Sequence, residues 1–468
     1  MLQSLRNIWD IPDLRKRVLF TLGLLAVYRL GNHIPTPGIN AQALIDFFEQ
    51  NKANWFGLVD MFSGGNLAKV TVFALGIMPY ISASIILQLL TVVWPYLEKL
   101  SKEGELGRRK ITQYTRYGTV LLSIVQSLGI AVYLERMTLN QQFRIVEHPG
   151  LVFKLMTVLT LTTGTAFIMW LGEQITERGI GNGMSLLIFA GIVVGFPRGL
   201  LSTVDMIRRG ELGLLATILL VVMMVLVVAA IVFVERGQRR ITVQYAKRVV
   251  GRRMYGGQST HLPLRVNTSG VIPVIFASSI IAFPQTIASF FQADNPWMKS
   301  VADQLQWGMP LYNLLYVSFI IFFCYFYTAI VFNPDDVAEN MRKYGGFIPG
   351  IRPGKRTAEY LDHILGRITF GGAIYLALVA ILPEFLITGI RVAPIPVIGP
   401  PLDAFLNDNN LGWITEGLHL NFYFGGTSLL IIVGVAMDTV AQVEAQLTMR
   451  HYDGFGGPGK GRRIRGRR

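Results

Sequence analysis

Ten apolar runs divide this sequence, and each is long enough, or nearly so, to cross a lipid bilayer as a helix. They lie at about residues 18–34, 72–97, 114–135, 151–172, 183–202, 212–234, 270–292, 310–332, 367–389 and 422–445. A helix rises about 1.5 Å per residue, so roughly 20 residues cross a hydrocarbon core. The chain has 468 residues, of which 51% are hydrophobic and only 15% are charged. This pattern predicts an all-α integral membrane protein with ten transmembrane helices.

The positive charge is unevenly distributed between the two sides of this membrane layout. Most of the 43 Lys and Arg residues lie in alternate loops and at the two ends of the chain. The positive-inside rule places those loops and both termini in the cytoplasm. Five spans in each half make the second half enter from the opposite side, so we expect two inverted halves, 1–202 and 203–445, around a central pore. A basic cytoplasmic tail, 446–468, follows them.

Residues 60–70 form a stretch too short to cross the membrane, because an 11-residue helix reaches only about 16 Å. Its glycine, serine and asparagine would expose polar groups to lipid, so it must lie against protein or in a wet cavity. We interpret it as a short plug helix in a vestibule. The central residues of this candidate plug are Phe62, Ser63, Gly64, Gly65 and Asn66.

Two long cytoplasmic loops, 235–268 and 333–366, are rich in basic residues. The first alternates apolar and polar residues over 241–246, which indicates a strand in a protruding hairpin. In the second, prolines and glycines fix turns that present basic side chains outward. The basic residues singled out in the two loops are Arg239, Arg240, Lys247, Arg248, Arg252, Arg253, Arg352, Lys355 and Arg356. These charges either set topology and bind anionic lipid, or form a docking surface for nucleic acid or an acidic protein.

Motifs for catalysis or metal binding are missing from the sequence. Residues 454–460, GFGGPGK, match part of a phosphate-binding loop, but Gly461 stands where Ser or Thr would hold magnesium. We therefore expect no enzymatic activity, no metal and no cofactor. Charged residues are also scarce near the middle of the spans, which argues against an ion-coupled carrier. A secondary transporter of a small solute stays as the alternative class.

Five isoleucines in the spans are candidates for a hydrophobic constriction. They are Ile77, Ile81, Ile188, Ile275 and Ile431. Each alone is typical of ordinary packing against lipid or neighbouring helices. Together they could form a ring that resists ion leak by excluding water. The residues alone do not decide between packing and a ring.

Long segments of the chain closely resemble the bacterial SecY family, the central subunit of the general protein-conducting channel. The resemblance covers almost the whole chain. It lies in DMFSGGNLAKVTVFALGIMPYISASIILQLL (60–90), GRRKITQYTRYGT (107–119), MWLGEQITERGIGNGMSL (169–186), FVERGQRRITVQYAKR (233–248), STHLPLRVNTSGVIPVIFASSI (259–280), NPDDVAENMRKYGGFIPGIRPGKRT (333–357) and FYFGGTSLLIIVGVAMDT (422–439).

The resemblance implies a channel of the bacterial inner membrane that translocates unfolded preproteins and releases transmembrane segments laterally into lipid. It implies a lateral gate between helices 2b and 3 on one side and helices 7 and 8 on the other. The five isoleucines match the family's pore ring, the 62–66 segment matches its plug, and Arg352 matches a critical arginine. Gln88 and Asn267 are our candidates for polar gate residues.

The resemblance also implies partners. In the family, small membrane subunits SecE and SecG accompany the channel, and signal peptides and preproteins pass through it. The basic loops match the surface that docks the motor ATPase SecA or the ribosome, where they would contact ribosomal RNA.

Overall fold

The computed structural model describes most of the chain and leaves several segments undescribed. The described residues are 11–40, 43–44, 65–67, 69–140, 145–210, 214–245, 248–250, 253–255, 259–291, 296–306, 308–388 and 426–453.

Long helices account for most of the described residues. They are α1 (Pro12–Gly31), α2 (Met78–Val93), α3 (Pro95–Lys102), α4 (Glu105–Asn140), α5 (Leu151–Arg178), α6 (Gly183–Arg208), α7 (Leu214–Arg236), α8 (Ile272–Phe291), α9 (Pro296–Gln304), α10 (Pro310–Val331), α11 (Pro334–Lys343), α12 (Lys355–Thr388) and α13 (Gly426–Asp453). A helix overlaps each of the ten apolar runs. Within the described segments, six helices are long and apolar enough to cross a membrane, or seven if the bent pair α2 and α3 forms one span.

The second apolar run, 72–97, is not one continuous helix. Residues 72–77 form turns, and α2 begins only at Met78. Pro79 stands in the first turn of α2, where its missing N–H costs no hydrogen bond. At Trp94 the backbone is extended before Pro95, and α2 and α3 meet at 98°. The expectation of one continuous helix over the whole run was therefore wrong, because α2 begins six residues after the start of the run and ends four residues before its end.

Helices of both halves pack against one another. In the first half α4 contacts α2 and α5, and α5 also contacts α1 and α6. In the second half α10 contacts α8 and α12, while α13 contacts α7 and α12. The halves meet where α2 and α4 contact α8, and where α6 contacts α13. Most helices at these junctions contribute to one large apolar core.

The loop that follows α7 forms the predicted hairpin. Its strands are β1 (Gln238–Tyr245), β2 (Arg248–Val250), β3 (Arg253–Tyr255) and β4 (Ser259–Arg265), and a fifth strand, β5 (Gly346–Phe347), comes from the second loop. β1 pairs antiparallel with β4, and β2 pairs with β3. Ile241 and Val243 are buried whereas Thr242 and Gln244 are exposed, which confirms the predicted alternation.

The second loop joins this hairpin in one sheet. β5 pairs with the end of β1, so that Gln244 lies opposite Phe347 in the strand order β4-β1-β5. Both loops share an apolar core with the start of α12, which includes Ile241, Leu264 and Leu361. The two projections that the sequence indicated are therefore one folded module, which we call the loop module (residues 238–265 and 334–365). The all-α class holds for the helical body, and the loop module adds strands to it.

Candidate pore and gate

The five isoleucines of the predicted ring all lie in the same buried apolar core. Ile77 precedes the first turn of α2, Ile81 lies one turn later, and the others lie in α6, α8 and α13. The members and their exposed fractions are Ile77 6%, Ile81 8%, Ile188 5%, Ile275 6% and Ile431 0%. Residues from four helices of both halves therefore belong to one buried apolar core.

Local sequence fixes the helix starts that place these side chains. Gly76 adopts φ +55°, a conformation that favours glycine, and the next residue caps α2. The side-chain oxygen of Asn182 accepts hydrogen bonds from the backbone N–H groups of Met184 at 3.1 Å and Ser185 at 3.4 Å. This N-cap starts α6 at Gly183, one and a half turns before Ile188.

Only part of the candidate plug lies among the described residues. Phe62, Ser63 and Gly64 fall outside them, whereas Gly65 and Asn66 are described and are not helical. Asn66 is 2% exposed, and its backbone carbonyl accepts a 3.1 Å hydrogen bond from the N–H of Thr71. This end of the segment is thus tied to the first half of the chain.

The residues that follow the plug segment lie in a second, smaller apolar core. Leu67 and Val70 pack there with Phe153 of α5 and Leu134 of α4. Val70 has φ +37°, an unfavourable conformation for a β-branched residue, and its carbonyl accepts a 3.0 Å hydrogen bond from Thr36 N–H. The chain is therefore strained at the junction between the plug segment and the turns that lead to α2.

The two candidate gate residues differ in their surroundings. Asn267 is 5% exposed, and its amide nitrogen donates to Glu235 Oε1 at 2.6 Å and to the Gly270 carbonyl at 3.1 Å. Its oxygen accepts from Ser269 Oγ at 3.2 Å. These partners all belong to the second half, so these bonds do not cross the junction between the halves.

Gln88 lies in α2, one of the helices that meet at that junction. Its amide nitrogen donates to Ser84 Oγ at 3.3 Å, one turn earlier. Its Oε1 atom is buried and accepts no hydrogen bond from the described residues. A direct contact across the junction involves Ser279 of α8, whose hydroxyl lies 4.0 Å from the sulfur of Met78 at the start of α2.

The predicted docking residues lie in the loop module, and all five whose side chains are described are on its surface. Arg239, Arg240, Arg352, Lys355 and Arg356 are exposed. The Arg352 carbonyl accepts a 2.9 Å hydrogen bond from Thr357 Oγ1, which holds the turn that precedes α12. Arg248 and Arg253 lie in β2 and β3, and Lys247 and Arg252 lie outside the described residues.

Sequence reasoning missed Glu235 as a functional candidate. This carboxylate ends the apolar run of α7, and it is the closest polar partner of Asn267. A charged residue at the end of a long apolar run is a weak signal, because most such residues simply face water. Only the return of the chain from β4 brings the two side chains together.

Comparison with known proteins identifies the family. The SecY family model matches residues 71–440. The chain is 51% identical over 445 residues to the protein translocase subunit SecY of Escherichia coli K12, covering 95% of this chain and 94% of that one. It is 44% identical to the same subunit of Aquifex aeolicus, covering 97% and 99%.

Solved structures share the fold at much lower identity. The structure described as a protein conducting channel matches with a TM-score of 0.61 and 15% identity, covering 93% of each chain. A SecY structure concerned with the plug domain and the closed state gives 0.61 and 16% over the same coverage. Sec61 in a canine ribosome-channel complex gives 0.58 and 15%, again over 93% of each. On the strength of the matched family model and the high identity over nearly its whole length, this chain belongs to the SecY family.

Proposed function

We propose that this chain forms the protein-conducting channel of a Sec translocase. It passes unfolded preproteins across the membrane and releases apolar segments sideways into lipid. The observation that carries this proposal is one buried core, built from both halves of the chain, that contains Ile77, Ile81, Ile188, Ile275 and Ile431. The 51% identity to a translocase subunit supports the same function.

The channel has ten membrane spans in two inverted halves, 1–202 and 203–445. Support comes from the described helices, one of which overlaps each of the ten apolar runs, and from the contacts of α2 and α4 with α8. Both termini and the loop module lie in the cytoplasm of a bacterium, since the Lys- and Arg-rich loops alternate along the chain.

The five isoleucines act as a gasket at the narrowest part of the pore. Apolar side chains without polar partners exclude water from a narrow constriction, and ions cannot cross where water is absent. Branched side chains can also separate around a passing polypeptide and close again. Their low exposure in this structure agrees with a closed constriction.

The segment around residues 62–66 acts as the plug on the outer side of the gasket. Asn66, at its described end, is buried and bonded through its carbonyl to Thr71 N–H, and the strained Val70 stands between the plug and α2. We infer that the plug leaves the pore by moving about this junction while Leu67 and Val70 stay in their apolar core.

The lateral gate lies between α2 and α4 on one side and α8 and α10 on the other. The contact of Ser279 with Met78 supports a seam at this place. Gln88 contributes a polar group with an unsatisfied oxygen to α2, and Asn267 holds the start of α8. Opening of this seam would give a signal peptide access to lipid.

The loop module docks the partner that supplies energy. Its exposed arginines, Arg239, Arg240 and Arg352 among them, suit the acidic surface of a motor ATPase such as SecA or the phosphates of ribosomal RNA. Small membrane subunits of the SecE and SecG type complete the channel. The chain itself performs no chemistry, so transport depends on the docked motor or on chain elongation.

The experiment uses the purified channel complex in lipid vesicles with a labelled preprotein. We expect the preprotein to become protected from protease only when the motor and ATP are both present. Equal protection without a motor or a ribosome would overturn the proposal. Saturable counterflow of an amino acid or ion in the same vesicles would instead favour a small-solute transporter.

A further inference from the structure

Two separate ion pairs join α4 to the neighbouring helix α5. Arg116 Nε of α4 donates a 2.7 Å hydrogen bond to Glu173 Oε1 of α5. Lys154 Nζ of α5 lies 2.7 Å from Glu135 Oε2 of α4. Each helix therefore provides one cation and one anion. Each of these charged groups is paired with a group of opposite charge on the other helix.

The two pairs are separated by nearly the thickness of a membrane core. Arg116 and Glu135 are 19 positions apart in α4, and Lys154 and Glu173 are 19 positions apart in α5. At about 1.5 Å per residue this spacing is about 28 Å. A hydrocarbon core is roughly 30 Å thick, so one pair lies at each border of the core.

The two carboxylates depend on their cations. The side chains of Glu173 and Glu135 are only 15% and 14% exposed, whereas those of Arg116 and Lys154 are 46% and 36% exposed. A largely buried carboxylate that loses its cation has little water to replace it. A slide of one helix along the other by one turn, about 5.4 Å, would break both pairs together.

The paired helices also hold the segment that leads into the gasket. There is no space for a side chain at Gly164 of α5, since a Cβ there would lie 2.0 Å from the Val72 carbonyl oxygen. The ring of Phe167 in α5 stacks on Phe73 at a centroid distance of 6.0 Å. Val72 and Phe73 belong to the turns that precede Ile77, so α5 positions this part of the gasket.

We propose that Arg116, Glu173, Glu135 and Lys154 are positioning residues that clamp α4 and α5 into one rigid unit. The clamp keeps α4 from separating from α5, so that opening takes place between α4 and the second half of the chain. This inference rests on the proposed function, because it concerns how the gate of that channel moves.

Distance measurements between spin labels test the clamp in the full channel complex. One label pair joins Val125 of α4 to Leu159 of α5, and a second joins Val125 to Phe322 of α10; all three are exposed. The buried native cysteine, Cys324, is first replaced by serine. On addition of preprotein, motor and ATP, we expect the α4–α10 distance to increase and the α4–α5 distance to stay unchanged.

Charge reversal supplies the decisive comparison. Arg116→Glu and Glu173→Arg alone should each broaden the distribution of α4–α5 distances and lower transport roughly tenfold. The variant that carries both substitutions should restore the narrow distribution and the transport. Glu173→Gln tests the same pair if the reversals fail to insert. The matched control swaps the exposed pair Arg109 and Glu105, which joins two residues of α4 at 2.8 Å and should have no effect.

Two results would overturn the clamp. One is a wild-type α4–α5 distance that increases as much as the α4–α10 distance; the other is a double swap that leaves the loss of the single variants unrepaired. Failure of the proposed function looks different. In that case the wild-type complex shows no motor-dependent transport, while the α4–α5 distances of the resting variants still report on the clamp.

Discussion

The side-chain amide of Asn267 donates a 2.6 Å hydrogen bond to a carboxylate oxygen of Glu235. The bond joins the end of α7 to the turn that opens α8. Close packing supports the same turn, because a Cβ on Gly372 would lie 2.9 Å from the Val266 carbonyl oxygen, and one on Gly434 would lie 2.6 Å from the Val271 side chain. The start of α8 is thus fixed to the second half on three sides.

We expect Asn267→Ala to lower the free energy of unfolding by about 1–3 kcal/mol, because it removes a donor from a mostly buried carboxylate. Thermal unfolding of the detergent-solubilised protein measures the loss. In a Glu235→Gln background the same change should lower the free energy of unfolding by less, since leaving a neutral amide without a partner costs less free energy than leaving a carboxylate without one. Thr268→Ala is the control, because its exposed hydroxyl donates to the nearby Arg265 carbonyl. Equal losses for Asn267→Ala in both backgrounds would contradict the assigned bond.

Gly164→Ala tests the contact between α5 and the turns before α2. The added Cβ meets a backbone oxygen at 2.0 Å, so the helix or the turn must shift. We expect the free energy of unfolding to fall by about 1–3 kcal/mol. Gly371→Ala in α12 is the matched control, since its Cβ would meet no atom within 4 Å. That variant should be unchanged or slightly more stable, because alanine favours a helix over glycine. Equal stability of the two variants would show that the contact is loose.

Replacement of Ile188, Ile275 and Ile431 by serine together should raise the resting ion conductance of the channel several-fold. The hydroxyl groups allow water to remain in the constriction, and ions follow water. Current across a planar bilayer measures this leak in the absence of preprotein. Ile86→Ser is the control, because Ile86 lies in α2 with 47% of its surface exposed. If the triple variant conducts no more ions than the control, these isoleucines serve only ordinary packing.

Arg352→Glu should leave the protein folded and block motor-driven transport. Its side chain is exposed, so reversal costs little stability, but it places a negative charge on the docking surface. Preprotein uptake into vesicles and motor binding to the channel measure the two effects. Arg208→Glu, exposed at the end of α6 and away from the loop module, is the control. Normal preprotein uptake with the Arg352→Glu variant would show that this residue is not part of the docking site.

The sequence predicted the helices and the strand well where the signal is local and periodic. The alternation around Ile241 and Val243 located β1, because burial on one face of a strand repeats every second residue. The apolar runs located the helices for a similar reason. The break at Val72–Ile77 was hidden, because its residues are as apolar as those of a helix, although Pro79 and Pro95 stood at the two ends of α2.

Pairings between distant residues were beyond sequence reasoning. The pairing of Gln244 with Phe347 depends on the path of α8 and α10 between the two loops. Arg116 and Glu173 are 57 positions apart, and each alone resembles an ordinary charge at the end of a span. The sequence could name the five isoleucines but could not decide whether they form a ring, because isoleucine in a span is too common to indicate one.

The central claim is that the translocating chain passes through the isoleucine core, and disulfide cross-linking tests it most directly. The variants carry Ile275→Cys, or Phe233→Cys as a control, in a background with Cys324→Ser. Phe233 lies in α7 and is 80% exposed. A preprotein with one cysteine is arrested halfway through the channel. We predict a cross-link to position 275 that needs motor and ATP, and none to position 233. A cross-link to position 233 with none to position 275 would contradict passage through this core.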